Sequence, residues 1–189
     1  IVRRLVGSEM CIRDRLYSYW MVKNYRESYG MYACNGILFN HESPNRGDDF
    51  VSKKVVKGLC NIKEDKQNIL VMGNIDSKRD WGHAKDYVEG MWLMLQQKKP
   101  KDYVLATGEL HSVRELIEFT VDELWSEKIV WKGSGSDEEG FINNKKIIEI
   151  SSDFYRPAEV ELLVGDASKA KKDLKWKPKY NFKSLIREM

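Results

Sequence analysis

A continuous apolar run, MYACNGILF at residues 31–39, constrains the fold of this chain more than any other feature. A run of this length and composition predicts a strand that is covered on both faces, as in a parallel sheet. The polar segment NHESPNRG follows, and its residues Pro44 and Gly47 predict a loop. Ligands of open α/β sheets bind at the carboxyl ends of the strands, so this loop is a candidate ligand site.

Helix patterns alternate with these strand-like segments. Apolar residues at three- and four-residue spacing predict helices over 14–29, 51–62, 84–97 and 113–124, the first with a buried aromatic face. The runs NILVMG and DYVLAT predict further strands, and the second of them is a candidate buried strand. This alternation predicts an α/β fold with parallel pairing. Only two strands have a fully buried pattern, so the chain is expected to be part of a larger doubly wound domain.

The segment after residue 126 has a different character. KIVWKG predicts a strand, GSGSDEEG a flexible linker, and KKIIEI a strand that returns beside KIVWKG as a hairpin. The tail predicts a helix that begins at Asp166 and a further partial helix from Lys183.

Composition excludes several classes of protein. The chain is 42% apolar and 32% charged, as is usual for globular proteins, and no run approaches the roughly 18 apolar residues of a membrane span. The net charge is +3, with lysines scattered among acidic residues, which argues against nucleic acid as a partner. Cys11, Cys34 and Cys60 lack CxxC spacing and predict no metal site. A cytoplasmic protein without a membrane partner is expected.

The loop after the first strand combines an amide, an imidazole and a guanidinium. Asn40 can donate and accept toward hydroxyls, His41 can bind a phosphate or ribose oxygen, and Arg46 offers a bidentate fork for phosphate. The structural alternative is that Asn40 and Ser43 cap the turn, His41 is a satisfied loop histidine and Arg46 is a surface charge.

Three further basic residues lie at separate junctions between loops and helices. If Lys54, Arg79 and Arg156 converge, a diphosphate is their natural partner, and Glu159 could take sugar hydroxyls. The alternatives are a solvated Lys54, helix capping by Asp80 or His83, and a surface ion pair between Arg156 and Glu159.

Three motifs carry a resemblance to a known family. NGILFNHESPNRG, NIDSKRDWGHAKDYVEGMW and FYRPAEVELLVGDASKAKKDLKWKP together resemble the GDP-mannose 4,6-dehydratases, which are NADP-dependent extended short-chain dehydrogenases/reductases. The resemblance runs from Leu16 to Met189. It implies the C-terminal part of an NADP-binding Rossmann fold with the smaller substrate-binding domain.

The resemblance also implies residue roles and a reaction. His41 and Arg46 match NADP-binding positions, while Asn40, Lys54, Arg79, Arg156 and Glu159 match positions that hold GDP-mannose. The family oxidises C4 of the hexose, eliminates water across C5 and C6, and returns the hydride to C6 to give GDP-4-keto-6-deoxymannose, a precursor of GDP-fucose. It assembles as homo-oligomers through the helix that corresponds to residues 15–29.

The N-terminal end departs from the family pattern. Residues 1–15 resemble no part of the family and are expected to be either a sequencing artefact or the leader of a truncated paralogue. Cys11 and Arg15 stand where the family's Tyr-x-x-x-Lys motif places tyrosine and lysine, and the glycine-rich loop is missing. No catalytic residue is therefore assigned, and this chain alone is expected to be inactive. Two alternatives stay open, a non-catalytic module that binds nucleotide sugars and a related GDP-sugar dehydratase or epimerase.

Overall fold

The structure, a computed structural model, describes residues 8–155 and 162–189, with side chains described from residue 13 onward. Within these ranges six α-helices span Ser8–Tyr29 (α1), Val51–Lys63 (α2), Ala84–Leu95 (α3), Val113–Trp125 (α4), Ser168–Leu174 (α5) and Phe182–Glu188 (α6). The four predicted amphipathic helices and both predicted C-terminal helices are confirmed. Their ends differ by a few residues, except at α1, which begins at Ser8 instead of residue 14.

Eleven short strands lie in the same described ranges. They are Gly36–Leu38 (β1), Asn40–Glu42 (β2), Leu70–Met72 (β3), Lys78–Arg79 (β4), Trp81–His83 (β5), Tyr103–Leu105 (β6), His111–Ser112 (β7), Val130–Lys132 (β8), Glu139–Ile142 (β9), Lys145–Ile150 (β10) and Leu162–Leu163 (β11). They form four small sheets with the orders β1-β6, β2-β5, β3-β10-β9-β8 and β11-β4-β7.

The two predicted buried strands pair in parallel. Residues 36–38 of β1 lie opposite residues 103–105 of β6, which confirms the predicted pairing mode. Leu38 packs on the core, but Ile37, whose side chain points to the opposite face, is 47% exposed. Burial on both faces is therefore wrong for β1, because the described residues cover only one side of this strand.

The segment predicted as a loop after residue 39 begins with another strand. Residues 40–42 of β2 pair in parallel with residues 81–83 of β5, so the loop prediction is wrong for Asn40 to Glu42. The loop itself starts at Ser43 and leads into α2. This pairing fixes the backbone of two predicted site residues next to the start of α3.

The predicted hairpin between KIVWKG and KKIIEI is wrong, because another strand lies between these two segments. Strand β10 runs antiparallel to β9, and β9 runs antiparallel to β8, so KKIIEI does not lie beside KIVWKG. The turn between β9 and β10 is formed by Asn143 and Asn144, both with positive φ (50° and 63°), which asparagine tolerates well. The last two residues of the predicted linker, Glu139 and Gly140, belong to β9.

Two apolar clusters form the interior. The larger one joins α2, α4, α6, β3 and β10 through residues such as Leu59, Ile117 and Ile148. The smaller one joins α3, β6 and α5 around Tyr87, Leu105 and Trp176. Strand β2 lies beside α3, and the loop after it leads into α2.

Helix α1 presents its aromatic residues to solvent. Tyr17, Trp20 and Tyr25 are 67%, 54% and 43% exposed, so the predicted buried face is wrong for the described chain. Helical periodicity identifies an apolar stripe but not the surface that covers it. The helix is held at its C-terminal end, where Arg26 donates two hydrogen bonds of 2.7 and 3.0 Å to the Asp102 carboxylate.

Candidate functional site

The two residues predicted first, Asn40 and His41, lie on β2. The Nδ1 atom of His41 lies 2.8 Å from the carbonyl oxygen of Phe39. Since a carbonyl only accepts, Nδ1 donates in this contact, and in the neutral imidazole Nε2 is then an acceptor. The imidazole ring lies 5.3 Å from the Tyr87 ring, which orients it from the side of α3.

Arg46 is held by a buried carboxylate. Its Nε atom lies 3.1 Å from Oε2 of Glu42, in an ion pair that is not aligned as a hydrogen bond, and its guanidinium carbon lies 3.5 Å from the ring centre of Phe50. The same Oε2 atom accepts a 2.5 Å hydrogen bond from the Ser52 hydroxyl on α2. Glu42 thus connects the strand, the loop and the first turn of α2.

Burial dominates the ionisation of Glu42. Its side chain is 3% exposed, and burial raises the pKa of the carboxyl above its usual range. The Ser52 hydroxyl, Arg46 and His41 each lower the pKa, but together they do not offset the loss of hydration. Ionisation of Glu42 is therefore less favourable in the folded protein than in the unfolded chain.

Lys54 follows Ser52 on the same helix and carries an ammonium group that is partly withdrawn from water. Its Nζ atom lies 4.3 Å from the ring centre of Phe154, and burial lowers the pKa of the amine. Within residues 8–155 and 162–189 no carboxylate pairs with it. A partly desolvated cation without an acidic partner is a favourable position for an anionic ligand.

Arg79 is the last residue of β4 and lies two positions before β5. Its Nη1 atom donates a 2.8 Å hydrogen bond to the carbonyl of Lys78. Strand β4 pairs in parallel with β11, so Arg79 lies opposite Leu163. Arg156 and Glu159 lie outside the described residues.

The chain on either side of that undescribed stretch is anchored near the other predicted residues. Phe154, two positions before Arg156, contacts Lys54, and Leu162, three positions after Glu159, begins the strand that pairs with the Arg79 strand. The structure therefore places Lys54 beside Phe154 and Arg79 opposite Leu163. Convergence of all three basic residues stays a prediction.

Two buried acidic residues lie near the site, Glu42 and Asp80, which are 3% and 1% exposed; the sequence analysis missed Glu42 and considered Asp80 only as a helix cap. Of the two capping candidates, His83 is the N-cap of α3, where its Nδ1 accepts from the Lys85 backbone N–H at 3.0 Å. Asp80 has other partners. The only signal for either carboxylate in the sequence is its position beside a strand end.

A cleft of about 800 Å³ lies elsewhere on the molecule, between α4 and α6. Glu115, Glu118 and Phe119 of α4 line one side of it, and Phe182 of α6 lines the other. None of the predicted site residues that the structure describes lies in this cleft, so its size does not locate the candidate site. We place the candidate site at β2, the start of α2 and β4, because these elements carry the predicted polar and basic side chains.

Comparison with known proteins identifies the family. The family model for GDP-mannose 4,6 dehydratase matches residues 14–189. The chain belongs to this family. A GDP-mannose 4,6 dehydratase of Drosophila melanogaster is 52% identical over 93% of the chain and 45% of its own length, and one of Dictyostelium discoideum is 54% identical over 92% and 49%. The human enzyme of the same name is 49% identical over 93% of the chain and 47% of its own length.

Solved structures show the same fold at lower identity. The structure of RMD from Pseudomonas aeruginosa complexed with NADPH is 23% identical in sequence and superposes with a TM-score of 0.75. The match covers 92% of the present chain and 52% of the RMD chain. The dTDP-glucose 4,6-dehydratase of Bacillus anthracis, in complex with NAD, superposes on 89% with a TM-score of 0.68 at 17% identity, covering 47% of that chain. The predicted fold class, part of an extended short-chain dehydrogenase/reductase, is confirmed.

The chain spans about half the length of the relatives that it matches. The domain boundary at residue 16 and the origin of residues 1–15 stay predictions. No helix among the described residues is long and apolar enough to cross a membrane.

Proposed function

We propose that this chain is the part of an NADP-dependent GDP-mannose 4,6-dehydratase, a cytoplasmic hydro-lyase, that binds the nucleotide sugar. The observation that carries the proposal is the Lys54 ammonium, partly buried over Phe154 and without an acidic partner among the described residues. A diphosphate supplies the missing negative charge. The family relationship supports GDP-mannose as the nucleotide sugar.

The proposed residues contact different parts of the nucleotide sugar. Lys54 and Arg79 hold the diphosphate, with Arg156 as a third cation, since guanidinium and ammonium groups bind phosphate oxygens strongly. Asn40 donates and accepts toward hexose hydroxyls, and Glu159 accepts from them. In the whole protein these contacts orient the sugar ring for oxidation at C4, loss of water across C5 and C6, and reduction at C6.

NADP is the proposed cofactor, and two residues of this chain fit it. Arg46 is anchored through Nε by Glu42, so its terminal nitrogens can face a phosphate. His41 keeps Nε2 as an acceptor for a ribose hydroxyl because Nδ1 is bound to the Phe39 carbonyl. NADP, when bound, supplies reversible hydride transfer. The tyrosine and lysine of the family motif are absent, so this chain alone is proposed to lack turnover.

The aromatic face of α1 supports a homo-oligomer. Tyr17 and Trp20 together with Leu16 expose an apolar surface on one helix, and such surfaces mark sites of protein association. We propose that the whole protein buries this face against a second copy.

A pair of lysine variants tests the nucleotide site. We expect Lys54→Met to weaken GDP binding by the chain about tenfold in isothermal titration, because a charge-assisted contact is lost. Lys57→Met is the matched control, since Lys57 lies on the same helix but pairs with Asp48 at the surface. Equal affinity of the Lys54 variant and the unsubstituted chain would refute the assignment.

A chimera tests the enzymatic assignment. The chain alone is expected to give no product from GDP-mannose and NADP. Joining residues 16–189 to the N-terminal half of the Dictyostelium discoideum relative is expected to restore product formation. A soluble chimera that binds GDP-mannose but stays inactive would favour the non-catalytic binding module, and turnover by the chain alone would contradict the expected inactivity.

A further inference from the structure

Asp80 joins three segments of the chain through one buried carboxylate. Its Oδ1 atom accepts from the backbone N–H and the hydroxyl of Thr107 at 2.8 and 2.6 Å. Its Oδ2 atom accepts from the backbone N–H groups of Gly108 and Gly165 at 2.8 and 3.3 Å. A carboxylate has about four acceptor positions, so Asp80 uses its full capacity to hold the end of β6 and the segment after β11.

Strand β11 depends on these polar contacts. It is two residues long, and Leu162 and Leu163 are 55% and 40% exposed, so apolar burial contributes little to its position. The backbone N–H of Asp80 donates a 3.2 Å hydrogen bond to the Leu163 carbonyl, and the Asp80 carboxylate accepts from Gly165 two residues later. Asp80 therefore fixes β11 against β4 from both its backbone and its side chain.

Arg79 is the residue before Asp80 and lies opposite Leu163 in the β4–β11 pair. We propose that Asp80 is a positioning residue for the diphosphate of the nucleotide sugar. It touches no ligand atom and acts by holding the backbone of Arg79 and β11 in register. This inference rests on the proposed function, since it assigns Asp80 to the site that binds the nucleotide.

Asp86 provides a matched control for Asp80. It is equally buried, at 1% exposure, and its Oδ2 atom accepts from the backbone N–H groups of Lys179 and Tyr180 at 3.0 and 3.1 Å. These contacts join α3 to the segment before α6, and neither reaches β4 or β11. Substitution of either aspartate by asparagine keeps the side-chain volume and removes the charge. At Asp80 the new NH₂ group faces backbone N–H groups in either orientation of the amide, whereas at Asp86 the amide oxygen can take the Oδ2 position and keep both hydrogen bonds.

The test compares the affinities of the full chain for GDP and GMP. These nucleotides differ by one phosphate, so the affinity for GDP divided by the affinity for GMP measures the contribution of the second phosphate. We expect Asp80→Asn to lower this ratio about tenfold, while Asp86→Asn leaves it unchanged. A general loss of stability would weaken both nucleotides alike. An unchanged ratio in the Asp80 variant, or an equal fall in both variants, would overturn the inference.

Two results separate this inference from the proposed function. If the unsubstituted chain binds no GDP, or binds GDP and GMP equally, the diphosphate site itself is wrong and the role of Asp80 falls with it. If that chain prefers GDP and the Asp80 variant keeps the preference, only the positioning role is wrong.

Thr107→Val covers the case in which the Asp80 variant does not fold. This change removes the hydroxyl donor to Asp80, together with the 3.1 Å hydrogen bond that this hydroxyl accepts from the Glu109 backbone N–H, and leaves the carboxylate and its three backbone N–H donors in place. We expect a smaller fall in the GDP to GMP ratio, in the same direction. An unchanged ratio in a folded Thr107 variant would overturn the inference.

Discussion

Replacing Glu42 by glutamine separates the structural from the electrostatic contribution of this buried carboxylate. Glutamine has nearly the same shape, and its carbonyl oxygen can keep the hydrogen bond from the Ser52 hydroxyl. The change removes the charge and with it the ion pair to Arg46. Because burial outweighs the three favourable contacts in setting the pKa of Glu42, the lost charge is one that the folded state disfavours.

The sign of the effect follows from proton linkage. The pKa of Glu42 is higher in the folded than in the unfolded protein, so the folded state retains the proton over a window that begins near the usual glutamate pKa. Wild-type stability therefore falls as pH rises through that window. At pH 4 we expect the glutamine variant and the wild type to be equally stable, and at pH 8 we expect the variant to be more stable by on the order of 1 kcal/mol.

Urea denaturation at a series of pH values measures this difference. Glu89→Gln is the control, because Glu89 pairs with Lys179 at the surface and the loss of such a pair is worth at most about 1 kcal/mol at any pH. The difference between wild type and the Glu42 variant should grow in favour of glutamine as pH rises. A difference that stays constant, or that grows in favour of glutamate, would refute the electrostatic reasoning.

Three further substitutions test an ion pair, a close glycine contact and the exposed aromatic face of α1. Arg26→Leu should lower the free energy of unfolding by about 1–3 kcal/mol in urea denaturation, since it leaves the partly buried Asp102 carboxylate without its guanidinium partner; an unchanged midpoint would contradict this. Gly165→Ala should destabilise by about 2–3 kcal/mol in thermal unfolding, because the new Cβ would overlap Ala106, and a loss below 1 kcal/mol would show that the backbone moves freely. Trp20→Ser should shift the chain toward the monomer in sedimentation velocity, whereas an unchanged distribution would exclude the α1 face from the interface.

Local patterns in the sequence determined the helices, the strand pair β1 and β6, and the motifs of the site. Helical periodicity depends on neighbours three and four residues apart, so α2 and α4 could be predicted from residues 51–62 and 113–124 alone. The types of side chain at residues 40, 41, 46, 54 and 79 are compatible with phosphate and hydroxyl recognition, and the family resemblance predicted that role for them.

Only the tertiary structure decided which surfaces and carboxylates face one another. The aromatic stripe of α1 has the same periodicity whether it is buried or exposed, and its neighbours leave Trp20 54% exposed. The pairing of β2 with β5 and the contacts of Asp80 join residues far apart in the chain, including the 85-residue separation of Asp80 and Gly165. A buried charge depends on partners that a local pattern cannot specify, so the sequence predicted candidate cations, and only the fold showed Glu42 beside Arg46 and Asp80 beside the segment after β11.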